Sequence, residues 1–249
     1  MDLHIGVIPI APDEQLRALF AAMVDIDQRN HRCVFGHCDL ATGSAETAQA
    51  EYLRQDDFRC HHLVAMDGPG ENVDPRTVVG YASIWMSTQD NLDSALVGVC
   101  VDPEARTRGV GSALLAAVED IATGDGRSVI NTWSLHAPEA GRTRPTSFQA
   151  ALNGPGRLSS DDPAARFFLR RGYALDQTHS TLQLDLTAGW KPEDRVGEQD
   201  PTGYEAVSWE GDTPAAYVLP MARLRTLMST AAPSGSIEPD EQRWNAERV

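Results

Sequence analysis

The chain has 249 residues, 41% of them hydrophobic, which suits one full domain plus something smaller, or two small domains. Its 21 basic and 36 acidic side chains give a net charge of −15, which repels a phosphate backbone and excludes nucleic acid as a partner; such a surface attracts a cationic partner or substrate and also serves solubility alone. No apolar run reaches the roughly 18–20 residues of a membrane helix, and the start Met1-Asp2-Leu3-His4 lacks the marks of a signal peptide, so the sequence reads as soluble and cytoplasmic, with no membrane partner.

Residues Leu3 to Ile10 alternate and predict a first strand. Pro12 opens a helix whose apolar positions Leu16, Leu19, Phe20, Met23 and Val24 share one face. Asn30 to Gly43 reads as irregular. Ser44 is placed to cap a second helix running through Tyr52. Cys60 to Met66 and Thr77 to Met86 read as strands joined by the turn-rich segment Asp67 to Pro75, hence a hairpin. After a polar turn at Gln89 to Asp93 comes the strand Ala95 to Val101. Val110, Leu114, Leu115, Val118 and Ile121 then recur at helical spacing, and Gly124 and Gly126 end that helix. Ser128 to His136 reads as the next strand. Ala137 to Asp161 shows no period, and a stretch that long inside a domain is usually functional or mobile. Pro163 starts a short helix that ends at Gly172, and two strands follow, Tyr173 to Gln177 and Thr181 to Leu186.

This order predicts an α/β fold: a mixed, largely antiparallel sheet flanked by helices, with hairpins first and a crossover helix in the middle. The expected organisation is one domain over residues 1–187, a polar linker over 188–203, and a C-terminal extension over 204–249. The extension holds a strand-like run, Tyr204 to Trp209, and a helix carrying Val218, Met221, Leu224 and Met228. It is too short to bury a core of its own and looks like the opening of a second domain.

Four cysteines, Cys33, Cys38, Cys60 and Cys100, show no short repeated spacing, and Cys100 sits in an apolar run as a small hydrophobe. The stretch from His31 to His62 is dense in His and Cys. It lacks Cys-x-x-Cys spacing, and adjacent His61 and His62 face opposite ways on a strand, so no metal site is expected.

The most informative run is Val99-Cys100-Val101-Asp102-Pro103-Glu104-Ala105-Arg106-Thr107-Arg108-Gly109-Val110-Gly111-Ser112. A strand ends at Pro103, a short loop carries two arginines, and a helix begins near Val110. The first turn of a helix has unpaired N–H groups and a positive dipole end, which suit phosphate. Gly109 and Gly111 let a ligand approach the backbone, and Arg106 and Arg108 add charge. A P-loop would need Gly-Lys-Ser or Gly-Lys-Thr, which is absent. A dinucleotide fold would want a third glycine where Leu114 stands, in a parallel βαβ context that the upstream hairpins oppose.

The third reading is an acyl-CoA site. The run resembles the signature of the GNAT family of N-acetyltransferases, through Arg106, Gly109 and Gly111 preceded by Val101 and Pro103. A later helix resembles the family's Ala-x-x-Phe-Tyr-x-x-x-Gly-Phe through Ala164, Phe167, Phe168, Gly172 and Tyr173. The resemblance covers roughly Leu3 to Leu186; the tail from Tyr204 has a weaker likeness to the tandem-type actinobacterial members.

The resemblance implies an N-acyltransferase that uses acetyl-CoA as donor and passes the acyl group directly to an amine of a small molecule or an aminoacyl group. It implies that Val99, Val101, Arg106, Thr107, Arg108, Gly109, Val110, Gly111, Ser112, Phe167 and Phe168 hold the donor. It leaves room for a homodimer. Direct transfer needs a base for the amine and an acid for the leaving thiolate. The family's usual acid is a Tyr where this chain has Phe168. A Glu often serves as base where this chain has Ala95. Asp93 and His136 are the candidates left, each weighed against a plain surface role. The alternative is a non-catalytic acyl-CoA-binding module, one half of a tandem protein.

Overall fold

The computed structural model describes residues 2–10, 14–68, 73–137, 147–182, 207–231, 235–236 and 239–249. The chain divides into two compact units, Met1–Ser147 with Ser159–Arg171, and Phe148–Leu158 with Gly172–Val249.

The first unit is built on a five-stranded sheet of β1 (Leu3–Val7), β2 (Phe58–Asp67), β3 (Val78–Ser87), β4 (Ser94–Val101) and β5 (Val129–Thr132), in that spatial order. The first three pairings are antiparallel and only β4 with β5 is parallel, which requires the crossover helix α3 (Val110–Gly124) between them. The mixed α/β fold read from the sequence is the one observed. Strand periodicity divides the core in two. Cys60, Val64 and Met66 of β2 join Leu16, Leu19, Phe20, Met23 and Ile26 of α1 (Glu14–Phe35) and Tyr52 of α2 (Ala45–Leu53). Gly80 of β3 faces the other way, where a Cβ would lie 3.1 and 3.2 Å from Val110 and Leu114 of α3. Ser44 caps α2, accepting from the Thr47 N–H.

Several boundaries differ from the sequence reading, each for a packing reason. The helix α1 continues through the expected irregular segment as far as Phe35. Asn30 and His31, which look like the polar end of an amphipathic face, are buried and bond back to the carbonyls of Ile26 and Asp27. The strand expected over Ser128 to His136 has only four ladder residues, because its pairing to β4 stops at Val97↔Thr132. Tyr173 to Gln177 is not a strand. Its Leu175 and Asp176 carbonyls accept from the consecutive donors Leu152 and Asn153, which is not the alternating pattern of a ladder. The expected Thr181 to Leu186 strand lies largely outside the described residues, and its first two are irregular. Residues 188–203 are also outside them, as are 204–206, while 207–209 are irregular.

Within the expected loop Ala137 to Asp161, residues 138–146 are not described, but a small hairpin forms from β6 (Phe148–Ala150) and β7 (Arg157–Ser159). Gly154 turns it at φ +79°, and the Arg157 guanidinium lies 4.2 Å from the Phe148 ring centre. In the second unit Asp176 accepts from the Ser236 hydroxyl and backbone and from the Asn153 amide; burial pushes its pKa up, and these bonds together outweigh it and leave the pKa lowered. The predicted C-terminal helix is α5 (Ala215–Met228). It is followed by Trp244, whose ring is flanked by Arg225 and Arg248.

His62 is the most consequential polar group of the core. Its ring meets Phe20, Tyr52 and Trp85 edge-on at 5.3, 4.7 and 5.8 Å between centres. Burial, with a smaller contribution from His61, lowers its pKa to about 4 from 6.5. Above pH 6.5 the imidazole is neutral whether folded or unfolded. As pH falls from 6.5 toward 4 the unfolded chain takes up a proton that the core refuses, so stability falls by about 3 kcal/mol. Urea unfolding across this window should show that loss, and His62→Phe should remove it; an unchanged pH profile in the variant would place the loss elsewhere.

Candidate functional site

The sheet parts where β4 leaves β5. The two pair from Ser94↔Val129 to Val97↔Thr132, while β4 runs on against β3 to Gly80↔Val101. Among the described residues, Gly98 to Val101 therefore have ladder partners on the β3 side alone. Backbone N–H and C=O groups on such an edge need other partners.

The chain then turns sharply. Asp102 caps a single 3-10 turn (Pro103–Ala105) by accepting from the Glu104 N–H. Thr107 takes φ +63° and Gly109 φ +88°, so the loop reverses before α3 starts. Gly109 is the N-cap residue and offers no side-chain bond. The first intrahelical bond is Ala113 N–H to the Gly109 carbonyl, which leaves the N–H groups of Val110, Gly111 and Ser112 without helical partners. Gly111 is closely walled: a Cβ there would lie 3.3 Å from the Phe167 ring and 3.4 Å from a Val101 methyl. The end of β4, the first turn of α3 and α4 (Pro163–Leu169) thus converge.

The Arg106 side chain is engaged by α1. Its guanidinium turns to α1 and donates to the Asn30 side-chain oxygen, with Cys33 Sγ at 3.8 Å. The Asn30 amide donates in turn to the Ile26 carbonyl (2.9 Å) and the Val101 carbonyl (3.1 Å). Arg29 adds a 2.8 Å ion pair to Asp102. Arg106 therefore ties the loop to the helix. Two other arginines stand at the loop: Arg108, exposed beside Gly109, and Arg171, whose guanidinium donates to Ser112 Oγ and lies 3.9 Å from the Phe167 ring centre. Arg171 and Asn30 escaped the sequence reading because neither lies in the loop motif.

The two catalytic candidates are separated. Asp93 is exposed at the start of β4, where its carbonyl accepts from Ser128 and Val129. The eight residues of β4, at ~3.3 Å each or roughly 26 Å, stand between it and the loop. His136 lies beyond the last β5 residue, on the parted side. Its Nδ1 is 2.9 Å from Asp162 Oδ1 and its Nε2 is 2.8 Å from Ser134 Oγ. The same Asp162 oxygen accepts from the Ala164 and Ala165 N–H groups and so caps α4. Asp162 before Pro163 is a legible cap signal, but its contact with His136 is tertiary and is not. Ala95 is buried against Ile130, and Phe168 meets Phe167 edge-on at 5.0 Å. Burial raises the thiols of Cys60 and Cys100 to about 12, which keeps them protonated and unreactive.

Replacing Asn30 with Ala would leave the Val101 carbonyl and the Arg106 guanidinium short of a partner. A loss of about 2–3 kcal/mol is expected, read as a lower urea midpoint at unchanged slope. A midpoint like that of the parent would mean that this link carries no stability.

Comparisons with known proteins agree with this geometry. Residues 20–141 match the model of the acetyltransferase (GNAT) family. A mycothiol acetyltransferase of Rhodococcus erythropolis is 35% identical over 106 residues, which is 38% of this chain and 33% of that protein, so the match spans about a third of the relative's length. A tandem GNAT protein from the clavulanic acid biosynthesis pathway superposes with a TM-score of 0.57 at 20% identity, over 90% of this chain and 60% of its own, a likeness of fold. An aminoglycoside acetyltransferase from an uncultured soil metagenomic sample is similar at a TM-score of 0.44 and 15% identity, over 74% of this chain and all of that one. Signature loop, parted sheet and family match coincide within residues 20–141, the span over which the chain carries acetyltransferase (GNAT) family sequence.

Proposed function

We propose that this acyltransferase domain uses acetyl-CoA as donor and an amine of a small molecule or an aminoacyl group as acceptor. The observation that carries the reading is the meeting, among the described residues, of a one-sided strand edge, Gly98 to Val101, with three N–H groups at the start of α3 that have no helical partner. A pantetheine arm carries amides that suit such an edge, and a pyrophosphate suits such a helix start. In this reading Val99 and Val101 pair with the arm. Thr107 to Ser112 cradle the pyrophosphate, with Arg108 and Arg171 supplying the charge, while Phe167 and Phe168 wall the site. The closeness of Phe167 to Gly111 supports a cradle that only glycine keeps open. An acidic chain of net charge −15 favours a cationic acceptor.

His136 is the base of this reading. An Asp162 carboxylate accepts only, so Nδ1 carries the proton and Nε2 is left to receive one. Asp93 has no part in it, given its position. A second reading, a binding module without turnover, is favoured by one observation: Phe168 has no proton to give where the family's acid stands.

Calorimetry with acetyl-CoA and CoA tests the donor site. Both should bind, and Arg108→Glu combined with Arg171→Glu should weaken binding by at least tenfold, through loss of charge-assisted contacts of about 1.5–3 kcal/mol each. Asp93→Asn should leave affinity unchanged. Absence of binding to the parent protein would end the donor reading. Thiol release from acetyl-CoA over an amine panel separates transferase from module: release should depend on an amine and fall at least a hundredfold in His136→Ala. Binding without release on any amine would favour the module.

A further inference from the structure

Ser134, His136 and Asp162 stand in the relation of a nucleophile, its base and the base's orienting carboxylate. The distances are 2.8 Å from Ser134 Oγ to Nε2 and 2.9 Å from Nδ1 to Asp162 Oδ1, with roles fixed by the carboxylate as above. Two features hold the arrangement still. Asp162 is buried and pinned by the Ala164 and Ala165 N–H groups, and the His136 side chain is only 19% exposed. Ser134 and His136 also follow directly on the strand end where β4 and β5 part. Two residues before Ser134, the last β5 residue, Thr132, carries a buried hydroxyl without a partner among the described residues. A hydroxyl so placed is a donor waiting for an acceptor such as a carbonyl oxygen.

We propose that this triad gives the chain a second, covalent activity, in which Ser134 takes the acyl group of a thioester or an activated ester and passes it to water. Ser134 Oγ attacks the carbonyl carbon while its proton moves to His136 Nε2. The C–S or C–O bond breaks, and the leaving thiolate or alkoxide takes that proton. Water then attacks the acyl-serine, gives a proton to Nε2, and Ser134 leaves with it restored. The net change is ester or thioester plus water to acid plus thiol or alcohol. For acyl-CoA as substrate this rests on the donor reading above; for a simple ester it does not.

The test uses p-nitrophenyl acetate, which needs no CoA site. The full chain has a single lysine, Lys191, so background acetylation is easily mapped. After an acid quench, intact mass and peptide mapping should find one acetyl group on Ser134. Ser134→Ala should abolish it. His136→Ala should slow p-nitrophenol release by roughly 10³-fold or more, and Asp162→Asn, which keeps a capping side chain, by a comparable factor. Thr132→Val should slow release by about 10–100-fold. No acetyl on Ser134 of the folded parent protein, or acetylation that persists unchanged in His136→Ala, overturns the proposal. Calorimetry with acetyl-CoA on the same samples keeps the two readings apart. Ser134 acetylation without acetyl-CoA binding sinks the donor site alone, and binding without acetylation sinks the triad alone.

Discussion

The constraint on which the rest depends is the short parallel pairing of β4 with β5. Four residue pairs hold the two strands together and none follow, although β4 continues for four more residues against β3. A strand edge without a ladder must find other acceptors and donors, take up water, or be covered. Among the described residues, this length has no second ladder and leads directly into the loop and helix start, where three more N–H groups have no helical partner. Two independent deficits of backbone hydrogen bonding are thus placed in line. A ligand with amides at one end and phosphates at the other satisfies both at once, which is why the acyl-CoA reading explains more of the backbone than a phosphate site alone would.

That loop needs to be held firmly, because its turns at Thr107 and Gly109 are in the left-handed region. The clamp comes from α1. Asn30 reaches the Val101 carbonyl and Arg106, and Arg29 reaches Asp102, so the two residues on either side of the strand end are fixed to one helix. Arg106 is part of this clamp. A guanidinium drawn to a buried amide is a poor direct ligand, yet it rigidifies the backbone that presents the N–H groups. The charge at the loop is then carried by Arg108 and by Arg171 from beyond α4. In a chain of net charge −15, such a local concentration of arginine is an exception that would suit the proposed anionic donor.

The fold was legible where periodicity and punctuation agree. The sheet strands up to β4 and the helix α3 follow from alternation and from Leu114, Leu115 and Val118 at helical spacing. The loop was legible because its glycines have a backbone reason. What stayed hidden was tertiary. Asn30 and His31 look like the end of α1, since a buried polar residue is indistinguishable from an exposed one until its partner is known. Tyr173 to Gln177 reads as a strand after the turn at Gly172 yet finds no ladder, because an apolar run does not report what pairs with its edge. Arg171 is 59 residues from Ser112 and Asp162 is 26 from His136, and no local pattern reports such contacts.

Phe168 sharpens the chemistry most. A phenylalanine in place of the family's tyrosine removes a proton donor and leaves the surrounding packing intact, since its ring still meets Phe167 edge-on. The proton that a departing thiolate needs must then come from another group near the parted strands, or from water. His136 is suited to it, because an imidazole that has just received a proton at Nε2 can return it from the same atom. One side chain would then serve as base in the first half of the transfer and acid in the second. This holds whether the proton came from an amine or from the Ser134 hydroxyl. In the proposed cycle the Asp162 carboxylate would keep Nδ1 protonated and stabilise the imidazolium between the two steps.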